Sequence, residues 1–389
     1  HDTTRKTVTH LSLTAEQRTQ LRYWAPALVS GVIAWLAFML IGHTPLIRSL
    51  GLTAVIIGMT MTLRPMGPVL AITGGLALAF SPAFWIQTGG AERLNPLEVF
   101  GGALAAGVVA LAALRMSKNH FAAAAVGVAI FAALFMLFFG TPRSLRLTTL
   151  MTAWLFYLLT EGLLLSNPRA DEPPVGHFGA RHRIGLLLIL VIGVLNDPLF
   201  ALLTPAVLLG LFLSKTRLSA IYWLVLGVVT IIGTRGIIVL YADSGWWSFP
   251  AEQAKAIGLQ VPFILADGWR EPARWIDLAY LVVSQFTIFG MILGVLGLAR
   301  LARWYPPIGV VTMVAYSAYA IFGLVYFGGD AAVLLLPLLM IQIMWMTYAI
   351  STFGQWLQKS VQAAGGAVRW FRVERTSEAR GTAAEGLPG

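Results

Sequence analysis

Four charged side chains stand where an apolar sequence gives least reason to keep them: Glu92, Asp197, Arg235 and Asp330. A carboxylate at a membrane–water boundary can take the proton of an acceptor hydroxyl. A guanidinium offers paired donors to a phosphate or carboxylate. Glu92 closes the stretch Ser81-Pro-Ala-Phe-Trp-Ile-Gln-Thr-Gly-Gly-Ala-Glu92, where Phe84 and Trp85 suit an aromatic belt and Gln87 adds an amide. Asp197 lies in Leu195-Asn-Asp-Pro198, Arg235 in Gly233-Thr-Arg-Gly236 and Asp330 in Phe327-Gly-Gly-Asp330. Trp246 and Trp247, with Trp269 and Trp275, crowd the stretch from Ala242 to Trp275. Their indoles suit a sugar face or a lipid chain, and equally an ordinary membrane interface.

Each residue has a structural use too. Glu92 suits a solvated loop beside Arg93, and Arg235 can snorkel to the interface. Asp197 and Asp330 suit helix N-caps, with Pro198 at the favoured first position. Cap and chemistry are compatible roles. Glu161, deep in an inward-running apolar run, is read as structural.

The elements that must position these groups follow from composition. Of the residues, 58% are hydrophobic and 11% charged, with a mean hydropathy of +0.77. Soluble domains carry about 25% charged residues, so a soluble enzyme is excluded. The apolar runs do not alternate, which excludes a transmembrane β-barrel. The fold expected is an all-α polytopic helical membrane protein of about twelve spans. The spans run over Trp24–Ile41, Leu46–Leu63, Pro68–Trp85, Leu97–Leu114, Phe121–Phe139, Leu147–Leu165, Ile184–Leu195, Pro198–Leu213, Leu218–Tyr241, Ile276–Ala299, Ile308–Phe327 and Ala331–Phe353. A run as short as Ile184–Leu195 reaches roughly 18 Å, less than the roughly 30 Å hydrocarbon core. Ile184–Leu213 should therefore be two short helices meeting at a buried Asn196–Asp197 bend.

Residues 1–23 read as a cytoplasmic segment with a surface helix, with Thr14 and Gln17 as a capping box. Residues 24–353 form the transmembrane domain, and 354–389 an amphipathic segment and polar tail. No cleavable leader is expected, because the first apolar run is of span length. The chain has no cysteine, which removes disulfides and thiol chemistry. No Walker loop, dinucleotide fingerprint or zinc-type histidine pair is present, so no cofactor and no metal are expected. The net charge of +10 points to anionic lipid at an inner face, not to nucleic acid.

Basic residues set the orientation. With both termini inside, 19 of the 27 Lys and Arg residues fall on the inner side and seven outside, leaving Arg235 within a span. The outer seven include Arg48, Arg146 and Arg274. Nine of the 17 acids fall at the outer face, so chemistry is expected there. The chain should thus sit in the plasma membrane with cytoplasmic termini. A Ser248→Cys variant should be labelled by an impermeant thiol reagent from outside only, and labelling solely from the cytoplasmic side would overturn the orientation.

Three segments together resemble the bacterial protein O-mannosyltransferase-like membrane proteins of the GT-C glycosyltransferase superfamily. The Ser81–Glu92 stretch is similar to that family's Ser-Pro-x-Phe-Trp-x-Gln…Ala-Glu. Val191–Leu213, bent at Asn196-Asp197, resembles its paired short helices. Gly329-Asp330 followed by Leu-Leu-Leu-Pro337 is similar to its terminal Gly-Asp…Pro pattern. The resemblance implies a GT-C-like core and sugar transfer from a polyprenyl-phosphate donor at the outer face. Glu92, Asp197 and Asp330 would then be the catalytic carboxylates, an outer one acting as general base on the acceptor hydroxyl, and Arg235, Gln87, Trp85, Trp246 and Trp247 would bind substrate. The first outer loop, Gly42-His-Thr-Pro45, departs from the superfamily by lacking an acid. A non-catalytic subunit of a larger membrane complex, bound to lipids and partner subunits, is the rival reading. A transporter with broken spans is the third.

Overall fold

A computed structural model of the protein describes residues 15–44, 46–89, 96–118, 120, 123–128, 130–131, 145–166, 178–242, 263–264, 267–328 and 330–363. The expected Glu92, Trp246 and Trp247 lie outside them, as do Thr14, Ser248 and the tail beyond residue 363.

Helices dominate. They are α1 (Ala15–Leu40), α2 (Leu46–Leu63), α3 (Pro68–Ala79), α4 (Pro82–Trp85), α5 (Pro96–Ser117), α6 (Leu145–Ser166) and α7 (Ala180–Asn196). After a 3-10 turn at Pro198–Leu203 come α8 (Thr204–Leu213), α9 (Ala220–Ala242), α10 (Pro272–Trp304), α11 (Pro306–Val325), α12 (Ala331–Leu334) and α13 (Leu336–Ala363). One short antiparallel pair, β1 (Phe263–Ile264) with β2 (Tyr326–Phe327), joins Phe263 to Phe327 and Ile264 to Tyr326.

Among the described residues seven helices are long and apolar enough to cross a membrane, or eight if the bent pair α3–α4 counts as one span. This is the architecture of a multi-pass helical membrane protein. Pro198–Leu213 is apolar but shorter. Helix α1 runs unbroken from Ala15 through Pro26 to Leu40, so the expected surface segment and the first span are one helix. Prolines set many helix starts: Pro68, Pro82, Pro198, Pro272 and Pro306 sit in first turns, where a missing N–H costs nothing.

Helix α13 is the best buried span, while α9 and α10 leave most of their length facing outward. Small residues bring the helices into contact. A Cβ on Gly75 would lie 2.1 Å from the Thr60 hydroxyl, and one on Gly297 would lie 1.8 Å from the Trp345 carbonyl oxygen. Gln342 of α13 donates to the Gly290 carbonyl of α10 at 3.0 Å.

Three breaks shape the bundle. Helices α3 and α4, within the expected Pro68–Trp85 span, meet at 60° around Ser81. Helix α10 is interrupted at Thr287, with φ 62° and ψ 174°. This is left-handed backbone at a β-branched residue, a conformation that surrounding structure must impose. The third break is at Asp197, as expected from the Asn-Asp-Pro sequence. The first two touch, since the Ala83 N–H of α4 donates to the Gln285 side-chain oxygen of α10 at 2.8 Å. Gln285 thereby provides the cap that Ser81 does not supply.

Candidate functional site

The polar groups of the expected outer end gather where α4, the start of α6 and the end of α7 meet. Asp197 is 1% exposed. Its Oδ1 accepts from the Leu199 N–H at 3.1 Å, the N-cap bond of the following 3-10 turn. Its Oδ2 accepts from the Thr148 hydroxyl at 3.1 Å. Asn196 Nδ2 donates to the same hydroxyl at 3.0 Å. The next residue of α6, Thr149, accepts from Gln87 Nε2 at 2.9 Å. Two consecutive threonines thus link Gln87 to Asp197, a coupling with no sequence signature.

Two guanidiniums close on the turn that leads toward Glu92. Arg48 Nη1 donates to Gly89 O at 2.9 Å and Thr88 O at 3.4 Å. Arg146 donates from Nη2 to Gly89 O at 2.8 Å and from Nε to Gln87 O at 3.0 Å. These carbonyls end the short 3-10 turn Ile86–Thr88, whose exposed acceptors attract cations. Beside them Gln87 is 4% exposed, and its side-chain oxygen Oε1 is buried with no hydrogen-bond partner. An orphaned buried acceptor is uncommon and calls for an explanation.

The other expected residues are placed differently. Trp85 packs with Phe38 and Phe80 at ring centroid distances of 5.7 and 5.9 Å, on the rim of this region. Arg235 is exposed on α9 and makes no ion pair with Asp197 or Asp330. Its flanking glycines serve packing: Cβ atoms on Gly233 and Gly236 would lie 2.4 Å from Ala201 and 2.8 Å from Pro198. Asp330 is exposed and makes no side-chain cap; it accepts instead from the Tyr326 hydroxyl. Helix α12, which Asp330 precedes, packs on α4. The structure therefore joins Gln87 to Asp197 and adds Arg48 and Arg146, while among the described residues no hydrogen bond or ion pair ties Arg235 or Asp330 to that network.

A second polar cluster sits at the expected inner end. Glu161 accepts from the Tyr23 hydroxyl at 2.9 Å and pairs with His182 Nε2 at 3.0 Å. Tyr157 meets the Tyr23 hydroxyl at 3.0 Å, and Arg64 lies 3.6 Å from the Tyr23 ring centre. These contacts make Glu161 the tie between α1, α6 and α7, in keeping with its structural reading. No group of three or more metal-ligating side chains occurs among the described residues. Compared with protein-family models, curated proteins and solved structures, the chain matches none.

Proposed function

We propose that this chain binds the phosphate end of a polyprenyl-phosphate sugar at its outer face and transfers the sugar to an acceptor, as the GT-C enzymes that its sequence resembles do. The observation that carries this reading is the orphaned Gln87 Oε1 beside two converging guanidiniums. A sugar hydroxyl would satisfy the amide oxygen, and the cationic rim would stabilise phosphate as it leaves. The acceptor hydroxyl gives its proton to a carboxylate and attacks the anomeric carbon. The bond to the phosphate oxygen breaks, and polyprenyl phosphate departs with the bonding pair. Glu92, three residues beyond Gly89, is the carboxylate assigned to the proton. This reading carries with it a plasma-membrane location, cytoplasmic termini and a GT-C-like core.

A second reading, a non-catalytic subunit of a membrane complex, draws support from Asp197. Both its oxygens are occupied and it is sealed from solvent, so it is not available to an acceptor. Protein reconstituted in lipid nanodiscs with a radiolabelled polyprenyl-phosphate sugar and crude acceptor extract separates the two. Transfer is expected, and Glu92→Gln should reduce turnover by about 10²–10⁴-fold with an unchanged thermal midpoint. Absence of transfer from a panel of such donors, with a second chain retained at fixed stoichiometry in mild detergent, would replace the transferase by the subunit.

A further inference from the structure

The start of α7 carries an unusual imidazole. The His182 side chain is 2% exposed, and its Nε2 is held by Glu161. Its other nitrogen, Nδ1, is buried and has no hydrogen-bond partner. Either protonation state leaves that nitrogen wanting: a lone pair needs a donor, and an N–H needs an acceptor. Nδ1 faces the N-cap residue, since a Cβ on Gly179 would lie 3.7 Å from it.

The helix end beside it is equally unfinished. Gly179 provides no side-chain cap, and the first turn of α7 holds no acid. The first backbone bonds of the helix run from the His182 and Arg183 N–H groups to Gly179 O, at 3.0 and 3.2 Å. The amides of Ala180 and Arg181 precede them and point out of the helix end. The first turn carries two cations. Arg181, with a side chain 58% exposed, pairs loosely with Glu161 at 3.8 Å, and Arg183 donates to Arg217 O at 3.2 Å. Lys215 is exposed on the adjoining turn, which is tied to this end by the bond from Phe178 N–H to the Thr216 hydroxyl at 3.1 Å. Glu161 holds Nε2 through Oε2, and its Oε1 lies 3.8 Å from the Arg181 guanidinium.

We propose that the N-terminal end of α7 is a phosphate-binding site, with His182 Nδ1, the leading amides of α7 and the Arg181 guanidinium as its donors. Free amides at a helix start and the positive end of its dipole favour an anion. A protonated ring would donate from Nδ1 to the phosphate while Glu161 balances the charge through Nε2. Glycine at 179 matters because a methyl group there would come within 3.7 Å of Nδ1. This site lies at the other end of α7 from Asp197 and is independent of any activity at the outer face. The phosphate could belong to an anionic lipid headgroup or be free in solution.

The test follows the ring directly. This chain of 389 residues, labelled with ¹⁵N-histidine, contains six histidines, and His182→Gln assigns the His182 signals. Spectra are recorded in phosphatidylcholine nanodiscs, in the same discs with millimolar inorganic phosphate, and in discs containing phosphatidylglycerol. A shift of the His182 Nδ1 signal in the phosphate arm identifies a free anion, and a shift with phosphatidylglycerol alone identifies a headgroup. Gly179→Ala should fold normally, because its φ of −62° and ψ of 161° suit alanine and 3.7 Å is ordinary contact. Its methyl group should weaken the response at least tenfold. An Nδ1 signal unmoved in every arm, or a response that Gly179→Ala leaves intact, would overturn the site.

Discussion

Gly297→Val is expected to remove most folded protein, whereas Gly227→Ala should leave yield and thermal midpoint unchanged. The contrast rests on what each new side chain would meet. A Cβ on Gly227 meets nothing within 4 Å, but one on Gly297 would sit 1.8 Å from the Trp345 carbonyl oxygen and 2.5 Å from its carbonyl carbon. Those are backbone atoms of α13 and cannot rotate away. Overpacking of side chains costs about 1–3 kcal/mol, and a backbone clash lies at or above that range. The same contact line contains Gly294, but there the obstacle is the Gln342 amide at 2.0 Å, a flexible group. Gly294→Ala should therefore be milder, losing chiefly the Gln342 bond to Gly290 O. In a membrane, helices associate by close packing more than by the hydrophobic effect, so forcing α10 from α13 is not offset by burying apolar surface elsewhere. Size-exclusion profiles and thermal midpoints in one detergent check the series. A Gly297→Val protein with the parent midpoint would mean that α10 and α13 do not touch through their backbones.

The same helix shows what the sequence conceals. Composition and apolar runs were enough to anticipate a helical membrane protein, and Asn196-Asp197-Pro198 marked its break because proline and an N-cap residue have local consequences. The break at Thr287 has no such marker: no proline adjoins it, and the nearest glycine is Gly290. It is imposed by tertiary contacts, with Gln285 holding α4 on one side and the glycine contact line holding α13 on the other. The bend around Ser81 was hidden, because the apolar run on both sides reads as one span. Functional residues divide in the same way. Asp197 and Gln87 could be picked out by type and position. Arg48 and Arg146 were legible only as outer positive charges, because their partners are carbonyl groups, which every residue possesses. Arg274 repeats the lesson. It donates to the Gly323, Leu324 and Tyr326 carbonyls at the end of α11 and lies 4.0 Å from the Phe327 ring centre. It is thus a helix cap supplied from 50 residues away.

Asp197→Ala should destabilise the protein strongly, and Asp197→Asn only in part. The alanine variant strands the Leu199 N–H and removes the carboxylate to which the Thr148 hydroxyl donates, in a site from which solvent is excluded. Losing an N-cap costs about 0.5–2 kcal/mol, and a buried unsatisfied donor about 1–3 kcal/mol. Asparagine retains an oxygen for the Leu199 N–H, so the 3-10 turn at Pro198–Leu203 keeps its cap. Its amide would meet the Thr148 hydroxyl as a donor, and that hydroxyl already accepts from Asn196 at 3.0 Å. One bond must therefore be rearranged, which places the asparagine variant between alanine and the parent. The disturbance should travel along α6, since Thr148 adjoins Thr149, the anchor of Gln87. The pair also separates structure from chemistry. If Asp197 serves as a cap, turnover in a sugar-transfer assay should fall only with the folded fraction, so Asp197→Asn retains most of it. A general base behaves otherwise: Asp197→Asn would lose about 10²–10⁴-fold in turnover at a nearly unchanged midpoint. The sealed, doubly occupied carboxylate leads us to expect the first pattern, with the midpoints ordered parent, asparagine, alanine.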